Sequence, residues 1–407
     1  MKSGPGGDYY TILDFEQTFG FSDNPKWSWD FDAFELLNEN RGLGWIAEKG
    51  SPISVREDWF NMLNHGWKFT AVGNSDSHDV LDILAGIPRN YIASSTDDPA
   101  QLDEAELVRN IKNRHVSVNR GLFVQFGTTV GERIGEQVIA KNGVVSFNIR
   151  VQAPSWVACD SLQLIGNGKV VASFVVSESS NSVRFERTIT VQPEQDTWYI
   201  AVATGSRSMS PLVHDAPVPI TPLGFTNPIW VDTDGDGKFT SLFEKAGLIV
   251  KKFANDSQDL ALEFNKQPAL QSFALSYLAQ KNVPRKAEHF AALLPMANLE
   301  ERLFTYNQLS RIGNDVAKAT LQKAAGNIEK PIEKFAVTIA RVKSGEKDQW
   351  PAVFESIADV DDRRFLQTTL RTMSTENYMR DWQITAPFPF KENHGLDIVY
   401  PMALRCG

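Results

Sequence analysis

Cysteine is almost missing from this sequence. Cys159 and Cys406 are the only two in 407 residues. They are too few and too far apart for a disulfide framework or a cysteine-based zinc site, and they leave the redox compartment open. Long apolar runs are missing too. None approaches the ~20 residues that a membrane-spanning helix needs, so no membrane partner is expected. The opening stretch, Met1 to Asp8, has no apolar core segment and does not read as a signal peptide. Positive charge is in deficit: Lys plus Arg is 41 against 50 Asp plus Glu, a net charge of −9. A nucleic-acid surface is basic, so no nucleic-acid partner is expected. Histidine is scarce, with six at positions 65, 78, 115, 214, 289 and 394, and no His-x-His pair occurs. Apolar residues are plentiful at 42% of the chain, enough for the two to three domains expected at roughly 150 residues each.

The order of patterns predicts a multi-domain chain, α/β, then β, then α. Residues 1–120 mix helix and strand. Phe31 to Leu37 and Phe69 to Val72 read as buried strands. Ser54 caps a helix carrying Val55, Trp59 and Met62, which Gly66 ends, and Leu102 to Arg114 reads as another helix. Residues 121–230 switch to period two: Val145, Phe147, Ile149 and Val151 alternate with polar residues, and Gly166-Asn167-Gly168 marks a hairpin, so an antiparallel β-sandwich is predicted. Within it, the prolines of 208–230 predict an extended linker. An acidic loop at 231–245 leads to a helical domain at 246–380. There Asn314 caps a packing helix ended by Gly326, and Phe335, Ile339 and Val342, then Leu366, Leu370 and Met373, form apolar stripes. This predicts a helical, HEAT-like array. Residues 381–407 read as the start of a further β-rich module. Trp27 and Trp29 read as packing aromatics rather than a sugar platform.

Two constellations carry chemistry. In Gly73-Asn74-Ser75-Asp76-Ser77-His78, a carboxylate and an imidazole follow directly on a buried strand. A hard oxygen and a borderline nitrogen converging on one point suit zinc, manganese or iron; the competing reading is a polar loop in which Asp76 caps the next turn. In Asp232-Thr233-Asp234-Gly235-Asp236-Gly237, acids at positions 1, 3 and 5 with Gly at 6 suit calcium. Position 12 is Phe243, with Glu244 one later, so the loop is EF-hand-like without its closing glutamate; the alternative is an acidic turn.

The run GNSDSHDV, followed by GIPRNYI and then SVNRG, resembles the C-terminal half of PHP-type metallohydrolases, the polymerase and histidinol phosphatase superfamily. The most similar branch is the one that includes the carbaryl hydrolases (CehA/McbA type). FDAFELLNENRG at 31–42 and NPIWVDTDGDGKFT at 227–240 are similar to the same branch, and the likeness covers about residues 30–240. The resemblance implies a distorted β/α barrel, here only in part, with a metal cluster at the C-terminal ends of its strands. It implies Asp76 and His78 as ligands, Glu35 and Asn38 as near-site support, and Asn74 as their neighbour. Arg89 is expected either to meet an anionic leaving group or to pair on the surface. The implied substrate is a small-molecule ester or phosphoester.

The family opens on a His-x-His strand and adds further His and Glu ligands. Here the first histidine is His65, which reads as the end of a helix, and His115 follows a helix in the same way. The chain therefore reads as the C-terminal portion of such a hydrolase, inactive by itself, with Glu35, Asp79 and His115 the first residues to examine if it is active. Relatives of this branch are often exported; the address of this chain is left open. The competing reading is a non-enzymatic interaction or scaffold protein built from the sandwich and the helical array.

Overall fold

The structure, a computed structural model, describes residues 15–16, 19–22, 28–39, 42, 44–45, 54–78, 84–215, 219–326, 328–357 and 359–360. Trp27, Asp79, the stripe of Leu366, Leu370 and Met373, and the module expected at 381–407 lie outside the described residues. Two compact units divide the chain, Met1–Glu244 and Lys245–Gly407, and both helix and strand are abundant.

The first unit opens with a short antiparallel pair, β1 (Phe15–Glu16) and β2 (Phe21–Ser22). Next come β3 (Ala33–Asn38), α1 (Val55–Asn64) and β4 (Thr70–Asn74), with β3 and β4 parallel. Ser54 caps α1 in a reciprocal box with Glu57, which satisfies two end amides. After β5 (Arg89–Ile92), α2 (Glu104–Lys112) and β6 (Val116–Arg120), the chain is all strand. These are β7 (Phe123–Thr128), β8 (Gln137–Ile139), β9 (Val145–Gln152), β10 (Ser161–Gly166), β11 (Lys169–Val175), β12 (Val183–Val191), β13 (Thr197–Thr204), β14 (Leu223–Thr226) and β15 (Ile229–Asp232).

An eight-stranded sheet runs β11-β10-β13-β14-β6-β5, with β15 joining β13 to β8. Its strand β13 shows why it is central. Tyr199, Ala201 and Ala203 pack into one core with the three-stranded sheet β12-β9-β7, including Phe147, Ile149 and Phe185. Trp198, Ile200 and Val202, on alternate positions, pack into a second core with Phe34, Trp59 and Met62 of β3 and α1. Burial on both faces explains an uninterrupted buried run from Thr197 to Ala203. Each fully buried Phe, such as Phe34, Phe147 and Phe225, contributes roughly 1.5–3 kcal/mol. Trp198 Nε1 donates to Asn64 Oδ1 at 2.8 Å and Trp59 Nε1 to the Phe69 carbonyl at 3.0 Å, so neither indole is buried with its N–H unpaired. Trp29 stacks on Trp67 with centroids 4.3 Å apart.

Two expectations are corrected. The boundary at residue 120 falls inside a sheet, because β6 pairs with β14 and β5 with β6; the sandwich is not a separate module. The proline-rich stretch 208–230 is not all linker. Pro222 stands just before β14 and Pro228 between β14 and β15, positions where a missing N–H breaks no ladder bond. Among the described residues no sheet closes into a barrel: β3 and β4 form an open pair, and their outer edge is capped by side chains as described below.

The second unit is helical. It holds most of α3 (Leu242–Lys252), then α4 (Ser257–Lys266), α5 (Gln271–Gln280), α6 (Lys286–Leu293), α7 (Leu299–Ile312), α8 (Asp315–Ala325), α9 (Pro331–Lys343) and α10 (Trp350–Ile357). Asn314 caps α8 through the Ala317 N–H, and Phe335, Ile339 and Val342 pack with Val353 and Ile357. Between α7 and α9, Arg302 clamps the Glu333 carboxylate through Nε (2.6 Å) and Nη2 (3.0 Å), and Tyr306 adds a third donor at 2.9 Å. No described helix is long and apolar enough to cross a membrane.

Candidate functional site

The C-terminal ends of β3 and β4 gather most of the residues singled out by sequence. A register shift between Glu35 and Leu37 buries both Leu36 and Leu37. Such a bulge resets the alternation, so Glu35 and Asn38 face the same way although three apart. Asn38 Nδ2 donates to Asp76 Oδ2 at 3.3 Å, and Asp76 Oδ1 lies 3.3 Å from His78 Nε2. Asp76 adopts φ 45° just past the strand, and its side chain and that of His78 converge. Asn74 Nδ2 donates to Glu35 Oε1 at 2.7 Å. Burial raises the Glu35 carboxyl above its ordinary range and the Asp76 charge adds to this, while the amides of Asn74 and Asn38 oppose it.

Sequence reading missed Asn90. Its amide continues the ladder of β4: Oδ1 accepts from Gly73 N–H and Nδ2 donates to Gly73 O, both at 2.9 Å, and Nδ2 also donates to Asn74 Oδ1 at 3.2 Å. Asn227 does the same one pleat earlier. It accepts from Ala71 N–H at 2.8 Å and donates to Ala71 O at 2.9 Å and Val116 O at 2.8 Å. Two asparagines thus stand in for a neighbouring strand. Gly73 leaves no room for a side chain, since a Cβ would lie 2.5 Å from Val118 Cγ1.

Arg89 is not brought to this cluster. Side chains alternate along a strand, and Asn90 takes the face toward β4, so Arg89 and Tyr91 face the other way, into a groove beside β7. His65 is the C-cap of α1, its Nδ1 2.7 Å from the Asn61 carbonyl. His115 sits against Asn110 and Glu136, at 3.2 and 3.7 Å. Among the described residues no third His, Cys, Asp or Glu joins Asp76 and His78 within 4.8 Å.

The acidic loop has a different membership from the expected one. Ligand atoms of Asp196, Asp232 and Asp234 lie within 4.8 Å of one another, whereas Asp236 turns to accept from Lys238 N–H at 2.7 Å. Buried Asp232 takes the N–H groups of Gly235 and Gly237, and Asp196 those of Thr233 and Thr240. Burial, with Asp234 and Asp232 adding to it, raises the Asp196 carboxyl. Glu244 is committed to Ser241 N–H and Oγ, each at 2.9 Å, at the start of α3. Asp196 lies 36 residues before Asp232, so no local spacing could have disclosed it.

No family model matches the chain, and no curated protein matches it. Two solved structures are similar to it at low level. One, named pT26-6p, is 12% identical over 76% of this chain and 56% of its own, with TM-score 0.20. The other, a polysaccharide lyase, is 10% identical over 70% of this chain and 44% of its own, with TM-score 0.16. The chain thus spans about half the length of each, and at these TM-scores neither likeness carries an argument.

Proposed function

We propose that the β3–β4 end is part of the site of a metal-dependent hydrolase of PHP type, acting on an ester or phosphoester. The observation that carries the reading is the linked set Asn38–Asp76–His78 and Glu35–Asn74–Asn90 at the C-terminal ends of two parallel strands, where α/β architectures place chemistry. The donor pair, one carboxylate oxygen and one imidazole nitrogen, fits zinc, manganese or iron. Such an ion supplies Lewis acidity and a lowered pKa for water. Asn38 holds the Asp76 carboxylate in orientation, and Asn90 holds Asn74, which in turn holds Glu35. Among the described residues two ligands fall short of the three protein ligands of a hydrolytic site, so the chain alone is expected to bind a divalent ion weakly and to show negligible turnover.

Titration calorimetry with zinc and manganese tests this. The reading expects weak binding that disappears in Asp76→Ala and His78→Ala. Binding indifferent to both substitutions removes it. Turnover of p-nitrophenyl ester or phosphodiester substrates that is lost in the same variants would instead show a site completed by further residues.

A second reading is a non-enzymatic interaction or scaffold module whose second unit is a HEAT-like array, since among the described residues only two ligands come together at this end. In either case the acidic loop is proposed to take calcium through Asp196, Asp232 and Asp234, since three carboxylates so close repel one another unless a cation or proton intervenes.

A further inference from the structure

Between edge strand β5 and the loops at one end of the sandwich lies a groove of about 340 Å³. It is on the face of β5 away from Asn90, and so separate from the cluster around Asp76. Tyr91 and Phe123 form an aromatic wall, with centroids 4.6 Å apart and planes tilted by 42°. Trp156 completes the aromatic lining; it is 40% exposed and Tyr91 42%. Beneath them Val157, Met209 and Val213 are buried. Gly121 is required there, because a Cβ would lie 2.7 Å from Met209 Sδ.

Polar groups converge on this apolar bed. The Arg89 guanidinium, the Gln152 amide, the Tyr91 hydroxyl and the Trp156 indole N–H have no hydrogen-bond or ion-pair partner among the described residues. Asn119 gives its oxygen to Gly121 N–H at 2.7 Å, which leaves its NH₂ as a donor. The rim is held in place. Arg184 Nη2 donates to the Pro154 and Val157 carbonyls on either side of Trp156. Asp215 ties the loop below through Ser208 Oγ and Ile220 N–H. A preformed apolar concavity with a few convergent polar groups is the form of a small-ligand site.

The chemistry of the lining selects the ligand. Aromatic faces pack against the C–H surface of a puckered ring as well as against flat rings, and it is the several unpartnered polar groups beside them, more than a flat aromatic can use, that favour a polyhydroxylated ring. The Gln152 amide presents a donor and an acceptor side by side and Asn119 adds a second donor, the complement of neighbouring hydroxyls. Arg89, the one cation of the described lining, offers a planar fork matched to a carboxylate. We infer that this groove binds an acidic saccharide, a pyranose carrying a carboxylate.

Titration calorimetry on the full chain, without added metal, tests this with glucuronic acid and digalacturonic acid as probes and with glucose and benzoate beside them. Saturable binding of the uronates is expected, stronger than that of glucose, with no binding of benzoate. Trp156→Ala weakens uronate binding by about tenfold or more, and Arg89→Gln weakens it too. Both side chains are exposed, and circular dichroism with thermal unfolding checks that each variant keeps its fold. Absence of uronate binding, preference for benzoate or glucose, or uronate binding unchanged in either variant overturns the inference.

Discussion

Burial lowers His65 from its ordinary value to about 4, with the backbone carbonyls of Asn61 and Phe19 opposing only in part. The unfolded chain takes up this proton near pH 6.5 and the folded chain only near 4. Stability from this group is therefore complete above about pH 6.5 and falls as pH drops to about 4, by roughly 3 kcal/mol in all. A proton NMR titration should find the His65 ring neutral down to about pH 4; a midpoint near 6.5 would contradict its burial. At this scale, what was legible in sequence was chemistry held in short spacing. The closeness of Asp76 to His78 and the helix-end position of His65 follow from their neighbours. Asn90 was not legible although it adjoins Arg89, because strand alternation and the position of β4, which local text does not carry, decide which of the two faces β4.

Edge β4 shows how an element can be completed by side chains. Ala71 and Gly73 turn their peptide groups away from β3, and the amides of Asn227 and Asn90 satisfy them. Removing Asn227 leaves buried N–H and C=O groups without partners, each costing about 1–3 kcal/mol. Asn227→Ala is expected to lower stability by roughly 3 kcal/mol or more, read by urea denaturation; a loss below about 1 kcal/mol would mean water replaces the amide. Elements with a strict period were legible. Strand β9 buries Val145, Phe147, Ile149 and Val151 in the alternation its sequence shows, and the β10–β11 hairpin turns on Asn167 and Gly168, both at positive φ. Strands β14 and β15 were not, because four-residue strands next to prolines carry too few positions to show a period, and pairing with β6, β8 and β13 is what defines them.

At the scale of the molecule, the first unit is three layers sharing one sheet, so a cut at residue 120 removes β5 and β6 from it. A fragment of residues 121–244 would also expose the face formed by Trp198, Ile200, Phe225 and Trp230. Such a patch promotes association, and this fragment is expected to aggregate on size-exclusion chromatography and to bind a hydrophobic dye. A soluble monomer would show that the sandwich stands alone. The two units divide at Glu244, within the helix that begins at Leu242, inside the stretch expected as an acidic loop. Sequence composition could not place the first boundary, because β6 pairs with a strand about a hundred residues later and local text carries no trace of that partner.

The asparagine staple also bears on chemical ageing. Deamidation begins when the next residue's backbone nitrogen attacks the side-chain amide, and the aspartate it yields has no N–H to donate. At position 227 that change would abolish the bonds to Ala71 O and Val116 O and set a negative charge against both carbonyls. The following residue is Pro228, whose nitrogen carries no hydrogen and cannot close the succinimide ring. The proline that separates β14 from β15 thus also shields the staple from the slow reaction that would undo it.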